Sequence, residues 1–136
     1  MKSRDALSRL KRFEVDEKRR KVAEIETMIA EFNQMAVDLD RQIAVEQERA
    51  GVSDTNHYAY PTFAKAAIQR RDNLLASAAD LEAKLASARE TLAAAYEELK
   101  KIELLEERDA ERIKLEQARM AELEVVSANM PHRVAS

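Results

Sequence analysis

Residues 51–63 read GVSDTNHYAYPTF and stand apart from everything around them. The stretch holds the only Gly of the chain, one of its two Pro, one of its two His and two of its three Tyr. On either side run dozens of residues without Gly or Pro, dense in Ala, Leu, Glu, Arg and Lys. Two long helical segments joined by one break are the arrangement this pattern predicts. The break itself has a turn's chemistry. Gly51 is placed to end the first helix in the left-handed conformation that only Gly adopts freely. Pro61 pushes Tyr60 towards extended geometry, and Thr62 is placed to cap the second helix. Those roles leave Tyr58, Tyr60 and Phe63 over, since a minimal turn between helices needs no aromatics. They either close the helix–helix seam or face a partner.

Composition points the same way. Of 136 residues, 36% are charged and only 4% aromatic, so bulky side chains to fill a globular interior are scarce. An A/E/K/L/R-rich chain with helical periodicity is the signature of long helices or coiled coil. The absence of Cys removes disulfides, thiolate metal sites and Cys nucleophiles together. The opening MKSRDALSRLKRF carries charges but no apolar core of a secretory signal, and no run approaches a membrane span. A soluble, cytoplasmic chain is expected.

From Val22 the apolar residues fall on a heptad. Val22, Ile29, Ala36 and Ile43 form one line, with Ile25, Phe32 and Leu39 forming the other. This alternating 3–4 spacing keeps a narrow stripe facing a partner helix. Upstream, Leu7, Leu10, Phe13 and Val15 are read as the same face after a shift of phase. After the break Ala64, Arg71, Ala78, Leu85, Leu92 and Leu99 make one line, and Ala67, Leu74, Leu81, Ala88, Ala95 and Ile102 the other. The frame then meets polar Glu106 and Asp109 before Ile113, Met120 and Leu123 resume it. Opposite charges at i,i+4 (Asp5/Arg9, Glu14/Lys18, Asp16/Arg20, Glu17/Lys21) support the exposed side of the first helix.

The resulting expectation is an all-α fold of two long helices in an antiparallel coiled-coil hairpin, the second longer than the first. Helix 1 covers about 4–50, the turn 51–61, helix 2 about 62–128, and a frayed tail 129–136. With the turn centred near residue 56, facing residues carry numbers that total about 112, as coiled-coil register demands. Leu39 then meets Leu74, Phe32 meets Leu81, Ile25 meets Ala88, Leu10 meets Ile102 and Leu7 meets Leu105. Charge agrees with this register: residues 1–21 carry nine Lys/Arg against four Asp/Glu, whereas 103–124 carry four against eight. Helix 1 runs out near residue 108 of its partner, which leaves Ile113, Leu115, Met120 and Leu123 uncovered. An apolar stripe that the fold does not cover is a candidate binding surface, and its plain alternative is a solvated overhang.

Catalytic chemistry has no residues to stand on. His57 and His132 are isolated, with no second ligand at metal spacing, so neither metal nor cofactor is expected. A single Gly excludes Gly-rich phosphate loops, and a long hairpin offers no cleft in which to perturb carboxylates. The basic runs Lys11-Arg12 and Lys18-Arg19-Arg20-Lys21 are interleaved with Glu14, Asp16 and Glu17 and lack aromatic platforms. A solvated or protein-facing surface fits them better than nucleic acid or lipid.

Three stretches together carry a resemblance: the basic opening SRLKRFEVDEKRRKVAEIE, the segment YPTFAKAAIQRRDNL after the turn, and the charged LLEERDAERIKLEQARMAE late in helix 2. Over nearly its whole length the chain resembles FliJ, the coiled-coil component of the bacterial flagellar type III export apparatus. That resemblance implies a non-enzymatic central stalk. Its open end binds the hexameric export ATPase and promotes ring assembly; the hairpin couples the ring to the cytoplasmic domain of the export-gate membrane protein and escorts export chaperones. It also implies a location peripheral to the inner membrane at the flagellar base. Carried onto this sequence, the ATPase-facing end comprises Leu7, Leu10, Lys11, Arg12, Phe13, Ile113, Leu115 and Met120. The gate- or chaperone-facing surface comprises Tyr58, Tyr60, Phe63, Gln69 and Arg70. A stalk of a virulence-type secretion system and a self-associating structural coiled coil are the alternatives.

Overall fold

A computed structural model describes residues 2–129 of the chain. It holds two helices, α1 (Lys2–Ala50) and α2 (Thr62–Asn129), with no strand among the described residues. The two helices pack against each other and the second is the longer, 68 residues against 49. The tail expected over 129–136 lies outside the described residues except for Asn129, the last residue of α2.

Gly51 ends α1 as its position in the sequence predicts. Its φ is 69°, and its amide donates back to the carbonyls of Gln47 and Glu48 at 2.9 and 3.3 Å, satisfying orphan acceptors of the last turn. Asp54 organises the next residues: its carboxylate accepts from the Asn56 amide at 2.9 Å and its carbonyl from the His57 amide at 3.0 Å. His57 in turn accepts from the Ala59 amide through Nδ1 and from the Tyr60 amide through its carbonyl, both at 3.0 Å. The cap of α2 differs from expectation. The first helical hydrogen bond, from the Lys65 amide, goes to the Pro61 carbonyl at 3.1 Å, so Pro61 occupies the cap and Thr62 is the first helical residue. Proline's fixed φ suits entry into a helix, and its missing amide deprives the turn of nothing it needs.

Contacts group the chain into two units, one of residues 14–95 and one joining the first thirteen residues to the stretch from Tyr96 onward. In the first unit, Val22, Ile25 and Ile29 are buried with Leu81 and Leu85, and Phe32, Ala88 and Leu92 pack against them. Nearer the turn a second cluster joins Leu39 and Ile43 to Ala67, with Ile68 and Leu74 alongside. The heptad lines therefore bury as the spacing requires. Arg71, which breaks the apolar line of α2, is half-buried and meets Asp40 across the seam at 2.9 Å and its neighbour Asp72 at 3.1 Å. Hydrogen bonding to Asp40 and then to Asp72 raises its pKa further, so it stays charged. Glu26 and Arg89 approach to 3.5 Å on the same flank.

In the second unit Lys11 reaches Glu98 at 2.8 Å, and Arg4 bonds the Asp109 carboxylate. In each unit the cross-helix ion pairs carry numbers that total about 112, the register expected of the turn. The helix-surface pairs fall mostly at i,i+3. Asp16, expected to meet Arg20, instead lies 3.7 Å from Arg19.

The reading of the upstream seam needs correction. There is no phase shift: the buried line of α1 runs back from Val22 through Val15 to Ser8, in steps of seven. Leu10 and Phe13 are more than half exposed, and Leu7 is only half-buried. The companion line from Ile25 runs back through Lys18, Lys11 and Arg4, all half-buried. Long cationic side chains cover apolar surface with their stems while the charged ends find carboxylates or water. The seam thus turns polar where leucines were expected, and Leu10 is exposed beside it.

Candidate partner-binding surfaces

Beyond Asp109, every described residue of α2 from 110 to 129 is exposed. This stretch holds Ile113, Leu115 and Met120 from the expected ATPase-facing set, together with Leu123, Val125 and Val126. They do not share one face. At about 100° per residue, Ile113, Met120 and Leu123 fall within an arc of about 80°, continuing the seam line. Leu115, with Leu104 and Val126 spaced eleven residues apart, lies about 120° further round the helix, and Val125 about 80° beyond that. Exposed apolar side chains spread over more than half of the circumference offer one sector to a groove and, taken together, suit a helix enclosed by a partner.

The α1 members of the set are split. Leu10, Arg12 and Phe13 are exposed, Leu7 is half-buried, and Lys11 is committed to Glu98. That contact holds the Glu98 carboxyl below its ordinary value, first by the hydrogen bond from Lys11 and then by its charge. Beside them lies a polar feature that the apolar pattern did not disclose. Ser8 is 2% exposed and its hydroxyl has no hydrogen-bond partner, nor has Oε1 of Glu106, which lines the same small depression with Asp5, Arg9 and Arg12. Counting back by sevens from Val22 would have placed Ser8 in the seam.

At the turn the expected gate-facing residues also part company. Tyr60 is 6% exposed and its hydroxyl accepts from Gln47 Nε2 at 2.9 Å. It closes the seam between the last turn of α1 and the start of α2, so it offers no face to a partner. Tyr58 is 96% exposed and stacks on His57 with ring centroids 4.6 Å apart. Phe63, Gln69 and Arg70 are exposed. What remains exposed is the pair His57–Tyr58 with Phe63, Gln69 and Arg70.

The described residues include no group of three or more His, Cys, Asp or Glu able to hold a metal, and no helix long and apolar enough to cross a membrane. Fold and surfaces together define the class: an antiparallel two-helix coiled coil whose second helix carries a long uncovered stretch. Comparison with family models, with curated proteins and with solved structures returns no match for this chain.

Proposed function

We propose that the chain is a non-enzymatic coiled-coil stalk of a type III export apparatus, of the flagellar kind that its sequence resembles. The observation that supports this most is the stretch 110–129 of α2, exposed throughout yet apolar over more than half of its circumference. A ring-shaped partner contacts an inserted helix from all sides, and such an environment uses Leu115 and Val126 as well as Ile113, Met120 and Leu123. On this reading the export ATPase hexamer receives that stretch, with Leu10, Arg12 and Phe13 at its margin. The exposed aromatics at the turn, Tyr58 and Phe63, serve the export gate or its chaperones. The protein works at the cytoplasmic face of the inner membrane without entering it.

The test is capture of the export ATPase by the full chain and by the chain lacking 110–136. The full chain is expected to retain the ATPase and accelerate its ring assembly, and the truncated chain to lose both while staying helical. Equal capture by both would remove this end from the interface and with it the stalk reading.

A further inference from the structure

The two flanks of the seam within residues 14–95 are built differently. One flank carries cross-helix ion pairs, Glu26 with Arg89 and Asp40 with Arg71. The other is open: a groove of about 440 Å³ with Ile25, Met28, Leu81 and Ala88 as its apolar floor and Lys18, Lys21 and Lys84 at its rim. None of these three lysines is ion-paired with any described residue, although carboxylates abound nearby on both helices. Three like charges converging on one apolar groove favour an anionic group that docks there from outside. Met28 adds an exposed, conformationally adaptable side chain at the floor, and Met35 lies one heptad along on the same flank.

The same polypeptide carries a helix of complementary character. Ile113, Met120 and Leu123 form an exposed apolar arc, with Glu116 inside it and Glu124 at its margin. Residues 103–124 as a whole have eight acidic side chains against four basic. Apolar floor with cationic rim and apolar stripe with anionic edges are the two halves of one helix-in-groove contact. We propose that the groove seats the 110–129 stretch of a second copy of this chain, Ile113, Met120 and Leu123 lying on Met28 and Ala88 above the buried Ile25 and Leu81 while Glu116 and Glu124 meet Lys18, Lys21 and Lys84. The contact stands apart from the stalk reading: it also gives the uncovered stretch a place to rest when no other partner holds it.

Sedimentation of the full chain over roughly 5–200 µM, the range in which a single helix-in-groove contact registers, tests this directly. The wild type is expected to self-associate, and less so at high salt. Reversing the groove (Lys18→Glu, Lys21→Glu, Lys84→Glu) and reversing the helix (Glu116→Lys, Glu124→Lys) should each weaken association by about ten-fold or more. An equimolar mixture of the two reversed chains should associate again, because each now complements the other, and that recovery cannot come from misfolding. Lys84→Glu alone, at an exposed position, gives a milder loss without touching the seam. A wild type that stays monomeric throughout, a groove reversal that leaves association unchanged, or a mixture that fails to recover would each overturn the proposal. ATPase capture separates the two readings: the groove-reversed chain retains the candidate ATPase-facing residues, so it should keep capture while losing self-association.

Discussion

At the scale of single residues, the informative ones are polar groups at seam positions. Lys11 sits on the line that Ile25 and Phe32 occupy further along, and it is accommodated because its ammonium meets Glu98 at 2.8 Å. The pair has a pH signature. Because Lys11 holds the folded-state pKa of Glu98 below the ordinary 4.5, the contribution of Glu98 is whole above that value and is lost as pH falls through the lowered one. Carbon-detected titration of the Glu98 carboxyl is expected to give a lowered midpoint in the wild type and an ordinary one in Lys11→Ala. An unchanged midpoint in the variant would assign the shift to some other group. Because Glu98 is exposed, the effect on stability is small, and the titration rather than the melting curve is the measurement to make.

At the scale of elements, the helices and their break were legible because Gly51, Pro61 and the two heptad runs are strong, independent signals. Gly51 adopts φ 69° with its amide bonded to the last turn of α1, as a helix-ending glycine should. The register followed from turn position alone, since two antiparallel helices with a fixed turn have little freedom to slide. Two things were harder to read. The cap fell to Pro61 rather than Thr62, because in the loop the chain direction, set by hydrogen bonds around Asp54 and His57, decides which carbonyl starts the helix. The first turns of α1 follow spacing rather than apolar type: Leu10 and Phe13 are exposed, and Ser8 holds the seam. A buried hydroxyl without a partner is costly, and serine is also the poorer helix former. Ser8→Ala is accordingly expected to stabilise the chain by about 1 kcal/mol, read as a shift of the denaturant midpoint at constant slope. A loss of stability would mean that the Ser8 hydroxyl has a bonding partner in solution.

At the scale of the whole molecule, stability and function are expected to draw on different residues. The apolar clusters, built around Ile25 and Leu85 and around Ile43 and Ala67, lie within residues 14–95, whereas 110–129 buries nothing. The candidate surface was legible as an uncovered stripe that included Leu115, but its extension through Leu104 and Val126 was not, since these follow a spacing of eleven that a heptad frame does not register. Whether that surface takes an ATPase ring lies beyond what spacing can say, because recognition depends on the partner's shape as much as on this helix. The division itself is measurable by unfolding followed by circular dichroism. Ile25→Ala empties a buried seam position and should cost about 2–5 kcal/mol. Removing 110–136 should take away the helical signal of that stretch yet shift the stability of the remainder by less than about 0.5 kcal/mol, as expected for exposed residues without packing partners. A truncation as costly as Ile25→Ala would mean that the stretch packs on the body of its own chain, and the surface assigned to partners would then belong to the fold.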